Sequence, residues 1–174
     1  MNRHYTTSEY LDLLAKARDI VPGVAIASDF IVGFPGETDE DFEDTVKLVE
    51  QARYKNSFIF KYSQRPGTLA DKKLEDNISD EIKKQRNMKL LEVQNVISEE
   101  DNKKFIGKTV RVLVEGMSKK AHLDSAENSG NPQLISRTAE DYIVVFNGPA
   151  TLAGGFAEVE IVRSSALTLF GALR

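Results

Sequence analysis

Val24-Ala25-Ile26-Ala27-Ser28-Asp29-Phe30-Ile31-Val32-Gly33-Phe34-Pro35-Gly36-Glu37-Thr38 is the run on which the fold turns. Residues 24–34 are almost continuously apolar, as a strand covered on both faces of a parallel sheet reads. Pro35-Gly36 turns the chain. Thr38, followed by Asp39, Glu40 and Asp41, opens a helix with a capping hydroxyl and with acids at its positive end. Upstream, Thr6 and Glu9 form a capping-box pattern, and Tyr10, Leu13, Leu14, Ala17 and Val21 recur at helical spacing until Pro22-Gly23 stops them. Downstream, Phe42, Thr45, Val46, Val49 and Ala52 make a buried helical stripe, and Ser57–Tyr62 is the next strand. The order α-β-α-β predicts a piece of an α/β layer or barrel. Two strands cannot close on themselves, so open strand edges and a naked sheet face are expected. Further strands are expected from another polypeptide or from sequence upstream.

Beyond this stretch the pattern changes twice. Arg65-Pro66-Gly67-Thr68 begins a loop running to about Asn77. Ser79 precedes a long charged helix to about Lys104, with apolar positions Ile82, Met88, Leu91, Val93, Val96 and Ile97. Its Lys83, Lys84, Arg86 and Lys89 read as a solvated face. After Gly107 the period is two: Val110, Val112 and Val114 alternate with Arg111, Leu113 and Glu115. Short strands follow around 133–138, 142–146, 157–163 and 167–170, so a small five-stranded all-β barrel is predicted. The domain reading is 1–104 for the α/β part with its connecting helix and 105–174 for the β part.

Composition removes several kinds of chemistry. The chain has 174 residues and no cysteine, which excludes disulfides, thiolate metal sites and iron–sulfur clusters held by this chain alone. Its two histidines, His4 and His122, have no metal-ligand neighbour at useful spacing, so no metal site and no catalytic residue is assigned. No apolar run approaches the ~20 residues of a membrane span, and the N-terminus lacks a signal pattern, so a cytoplasmic location is expected. The net charge is -4, with a net of -5 over residues 1–103 and of +1 over 104–174. A local basic patch in the second part is compatible with that balance.

Three places could carry function. The Gly33–Glu37 turn ends a strand and starts a helix, where α/β folds bind ligands; it is a tight turn or a backbone grip for a nucleoside-like ligand. It is not a phosphate-binding P-loop, since the Lys-Ser/Thr ending is absent. Arg65, in Tyr62-Ser63-Gln64-Arg65-Pro66-Gly67-Thr68, follows the next strand and would share that rim, either solvated or facing an anion. Asp29 inside an apolar strand is costly unless bonded, and serves either a structural bond or a substrate.

These residues also carry a resemblance. SDFIVGFPGETDEDFEDTVKLVE, FKYSQRPGT and MNRHYT resemble the radical-SAM methylthiotransferase family. GKTVRVLVEG, QLISRTAEDYIVVFNG and LTLFGAL resemble that family's RNA-binding TRAM domain. The likeness runs through the whole chain in order, and YSQRPGT, with Asp29 beside Ser28, resembles the branch acting on tRNA. The resemblance implies an incomplete radical-SAM TIM-like α/β barrel followed by a TRAM/OB-like β-barrel. It implies methylthiolation of N6-isopentenyladenosine near the anticodon, with S-adenosylmethionine and two 4Fe-4S clusters. The family's three-cysteine loop and its N-terminal cluster domain are not in this sequence, and Met1 matches an internal Met of the family pattern. The expectation is therefore a C-terminal fragment of a tRNA-modifying enzyme, inactive by itself, with weak affinity for S-adenosylmethionine and with the cluster-bearing part as partner. Gly33, Phe34, Pro35, Gly36 and Glu37 correspond to a strand-end motif that contacts that cofactor. In the TRAM-like part, Lys108, Arg111 and Arg137 would meet phosphates of a tRNA anticodon stem-loop, and Phe146 or Tyr142 would stack on a base or pack inward. Lys119, Lys120 and His122 form a solvated loop or an RNA-facing patch. A non-catalytic RNA-binding module, or a subunit completing another chain's barrel, remains open beside the fragment reading.

Overall fold

The computed structural model describes residues 4–119 and 131–174. The chain forms two compact units, Met1–Ile97 and Ser98–Arg174. The first unit holds helix α1 (Thr7–Ile20), strand β1 (Ala27–Val32), helix α2 (Asp39–Ala52), strand β2 (Asn56–Lys61), a short helix α3 (Leu69–Lys73) and most of helix α4 (Asp80–Lys103).

Both main helices start as their sequences dictate. Thr6 with Glu9 and Thr38 with Asp41 form complete capping boxes, each satisfying backbone N–H groups that a helix start leaves free. The N–H and hydroxyl of Thr38 also hold the Asp41 carboxyl below its ordinary value. Arg18 reaches from α1 to the carbonyls of Ala52 and Arg53, where α2 ends on a left-handed Arg53. Phe42, Val46, Val49 and Ala52 are buried against Phe30, Val32 and Ile59. In α1 only Leu14 is fully buried. Leu13, placed in the apolar stripe by spacing, is exposed. The stretch after Arg65 contains α3, started by Thr68, where a loop was expected.

Strands β1 and β2 are parallel, with Phe30 opposite Ile59 and Ile31 opposite Phe60. Their following turns therefore leave the sheet at the same end. The naked sheet face expected of two strands alone is present. Helices cover the side carrying Phe30, Val32 and Ile59, while Asp29, Ile31, Phe58 and Phe60 share the other side and are exposed. Asp29 is consequently no buried carboxylate, and it needs no compensating partner.

Helix α4 corrects a second expectation. Lys83 and Arg86 are buried, together with Leu90, Gln94 and Ile97, while Ile82, Met88, Leu91 and Val96 are exposed. The polar residues are buried because they have partners. Asn87 donates to the Ile59 carbonyl at 2.8 Å, and Gln94 donates to the Tyr54 carbonyl at 2.8 Å while accepting from the Ser57 hydroxyl. Lys84 and Lys89 remain exposed, as read from the sequence.

The second unit is a closed barrel of β3 (Thr109–Met117), β4 (Gln133–Arg137), β5 (Ile143–Asn147), β6 (Phe156–Ser164) and β7 (Leu169–Leu173), in the order β3-β4-β5-β7-β6. All neighbours are antiparallel except β5 and β7. Val112, Val114, Leu134, Val144, Phe146, Val159, Ile161 and Leu169 fill the interior. The bulge between Val114 and Gly116 and the one between Ile161 and Arg163 help the sheet curve shut. The five strands expected from the sequence are present.

Candidate functional site

The turn after β1 lines an open depression of about 290 Å³, walled by Ile31, Phe34, Pro35, Gly36, Glu37 and Asp41. Gly33 sits there at φ 71 and Gly36 at φ 82, in the left-handed region that side chains other than glycine avoid. A Cβ on Gly33 would also collide with Lys83 Cγ.

Most polar groups of this turn are already engaged. The Gly33 N–H donates to Glu37 Oε2 at 2.7 Å, and the Gly36 N–H donates to Asn77 Oδ1 at 2.8 Å. The Glu37 N–H closes the turn onto the Phe34 carbonyl at 2.9 Å. The same Glu37 oxygen accepts from Arg86 at 2.5 Å, and Arg86 also donates to the Glu37 carbonyl and to Asp39. Burial opposes the Arg86 charge, yet hydrogen bonds to Asp39 and Glu37 keep the guanidinium above its ordinary value. Glu37 is therefore a brace that ties the turn to α4 rather than a free carboxylate. The notion of backbone amides open to a ligand is corrected for Gly33 and Gly36. Phe34, Pro35 and Ile31 remain as an apolar wall.

The turn after β2 meets this one. The Tyr62 N–H donates to the Val32 carbonyl at 2.8 Å, and the Phe34 and Tyr62 rings meet edge to face at 5.1 Å. Behind them Lys83 pairs with Asp76 at 2.5 Å and lies 5.5 Å from the Tyr62 ring centre. Arg65 is exposed, in the loop that leaves the same end of the parallel pair.

In the barrel unit, the cations differ in what they touch. Arg137 is held by Glu115 at 3.0 Å and Asp141 at 2.5 Å, and the bond to Asp141 raises its charge affinity above the ordinary value. Arg111 instead lies over the Phe156 ring, 4.3 Å from its centre. Lys108 is exposed, 5.8 Å from the Phe105 ring centre. Phe146 is 2% exposed and belongs to the barrel core, so it offers no face to a base; the inward phase of β5 decides this. Tyr142 is half-buried against Phe105, and burial pushes its hydroxyl up, with Asp101 and Glu140 adding to the shift. Lys119 is exposed; Lys120 and His122 lie outside the described residues.

Comparison with known proteins now bears on this layout. The family model described as Radical SAM superfamily matches residues 1–49, and that of the TRAM domain matches residues 103–173. A protein of Rhodopirellula baltica named tRNA-2-methylthio-N(6)-dimethylallyladenosine synthase is 47% identical over all of this chain, which covers 36% of that protein. Relatives of the same name in Parabacteroides distasonis and Acetivibrio thermocellus are 43% and 42% identical over 98% and 99% of the chain, which covers 35% and 34% of them. This chain belongs to the radical-SAM methylthiotransferase family. It spans little more than a third of the length of the relatives it matches.

Within this family's sequence, the structure brings together Gly33, Phe34, Pro35, Gly36 and Glu37 as one turn, with Arg65 on the adjoining loop. Lys108 and Arg111 lie at the start of β3 and Arg137 lies on β4 opposite Leu113, while Phe146 is inside the barrel. Sequence reading missed Asn77, Lys83 and Arg86, which hold the radical-SAM turn in shape. The signal was available in Leu90 and Ile97: stepping back seven residues from Leu90, two helical turns, lands on Lys83, and the stripe continues through Arg86 and Gln94. Among the described residues no group of His, Asp or Glu could hold a metal ion, and the chain has no cysteine, so its residues do not fit an iron–sulfur cluster.

Proposed function

We propose that this chain serves a tRNA methylthiotransferase acting on N6-dimethylallyladenosine near the anticodon. Its α/β unit would furnish one part of the cofactor-binding barrel, and its β-barrel would bind the tRNA. The observation that carries the reading is the 47% identity across the whole chain, with both domain matches in the same order. The naked sheet face supports the incomplete barrel. Leaving Phe58 and Phe60 exposed forgoes about 4 kcal/mol of burial, a gain that packing against further strands would recover.

S-adenosylmethionine, when bound, supplies the methyl group of this chemistry. The wall of Ile31, Phe34 and Pro35 fits its apolar surfaces, while Glu37 and Arg86 fix the shape of the turn. The two clusters need thiolates that this chain does not contain, so they belong to the cysteine-bearing part of the enzyme. By itself the chain is inactive and binds the cofactor weakly. No helix among the described residues is long and apolar enough to cross a membrane, and a cytoplasmic location accompanies the tRNA reading.

The test is binding of a tRNA anticodon stem-loop to this chain by fluorescence anisotropy. Affinity is expected to fall as salt rises, because phosphate contacts release counterions. Absence of binding at low salt defeats the RNA role. Tight binding of S-adenosylmethionine by calorimetry would defeat the reading of the α/β unit as an insufficient cofactor site.

A further inference from the structure

Phe156 is an aromatic ring that the barrel does not use. It opens β6, points outward, and is 62% exposed even with Arg111 laid across it at 4.3 Å. Its cross-strand partner on β3 is Leu113, which is 42% exposed, so ring and aliphatic side chain make one apolar step on the outer wall. Exposed apolar side chains are ordinary on a protein surface, so it is the cation over this ring that gives the step a chemistry.

The cation beside the ring narrows the chemistry. Glu158 is the cross-strand neighbour of Arg111, yet among the described residues the guanidinium forms no ion pair and rests on the ring. Arg137, on β4, is by contrast neutralised by two carboxylates. Lys108 lies just before β3 and is exposed, so the start of this strand carries two cations that no carboxylate claims among the described residues. A guanidinium and an aromatic ring each present a delocalised plane, and both kinds of plane stack on nucleobases. Arg163 covers Phe170 in a similar way at 3.7 Å, but that ring is half-buried and offers less surface.

We propose that Phe156, with Arg111 across it, is a stacking platform for one unpaired base of the RNA bound by the barrel. This rests on the RNA-binding reading above and assigns it a site that the charge pattern alone does not supply. Lys108 lies close enough along the strand to meet the backbone of the same strand of RNA. Base identity is read weakly by such a platform, because every base has a π-face. Sequence choice would have to come from elsewhere.

The test uses the whole chain and a short single-stranded RNA carrying 2-aminopurine. Binding is expected to quench the 2-aminopurine fluorescence. Phe156→Ala is expected to abolish the quench and weaken binding about tenfold, a stacking-sized loss, while leaving the salt slope unchanged because no phosphate contact is lost. Phe156→Trp should retain both affinity and quench. A folded Phe156→Ala variant, checked by its unchanged circular-dichroism melt, that binds and quenches like the parent overturns the platform alone. Failure of the unsubstituted chain to bind any RNA overturns the RNA-binding reading and the platform together. Sedimentation showing that Phe156 instead controls self-association would assign this patch to a protein contact and also overturn it.

Discussion

The two units solve the same problem of burying a β-sheet in opposite ways. In the barrel every strand has two neighbours, so no edge is left and the inward residues form a closed core. In the α/β unit the sheet has two strands, one covered face and one open face bearing Ile31, Phe58 and Phe60. The barrel adds few buried polar links to its apolar packing, among them the Ser136 hydroxyl donating to the Val144 carbonyl. The α/β unit relies on buried polar links, above all Arg86 with Glu37 and Gln94 with the Tyr54 carbonyl. A unit that leaves apolar surface open must be held by directional bonds, and those bonds shape the very turn proposed to face the cofactor.

The contrast can be broken or sharpened by substitution. The largest effect is expected in the barrel: Leu134→Ala should cost about 4 kcal/mol, because a closed core cannot collapse around the void. Faster hydrogen exchange at β3–β7 amides would register it, and a loss below 1 kcal/mol would mean that the barrel is not the well-packed unit described. Next, Arg86→Ala should cost the α/β unit about 3 kcal/mol, since it strands the largely buried Glu37 carboxylate. Exchange should rise at the α2 and β1 amides, and Glu37→Gln in the same background should recover part of the loss. The smallest effect belongs to the open face. Replacing Phe58 and Phe60 together by Ser should change stability by less than about 0.5 kcal/mol, as at other exposed positions. It should also lower binding of an apolar dye. Unfolding of the unit by that pair would show the face to be core and remove the argument for further strands.

How much was readable differs between the same two regions. The barrel was legible because β3, β4 and most of β6 alternate, and alternation states both the element and its inward face; Val112 and Val114 follow it directly. Phe146 and Tyr142 were open to either reading; closure of the barrel settled Phe146 inward and left Tyr142 half-buried against Phe105. In the α/β unit the caps at Thr6 and Thr38 and the stripe of α2 were equally local and equally legible. Helix α4 was not. Its buried face contains Lys83, Arg86 and Gln94, and a polar residue reads as exposed until its partner is known. Glu37 and Tyr54, the partners of Arg86 and Gln94, are distant in sequence, and Asp76, the partner of Lys83, precedes the helix itself. Asp29, read as either a structural or a substrate-facing carboxylate, lies on the open sheet face with Ile31, Phe58 and Phe60.

The amino-acid order by itself determined the elements, their caps, the parallel pair and the small barrel, because these depend on periodicity and on contacts a few residues apart. Only the tertiary structure decided which charges are structural. Whether Arg86 is a brace, Arg137 a neutralised pair and Arg111 a cation lying over a ring depends on what the fold brings beside each guanidinium. Charge–charge and charge–ring energies follow distance in space, which sequence separation does not encode.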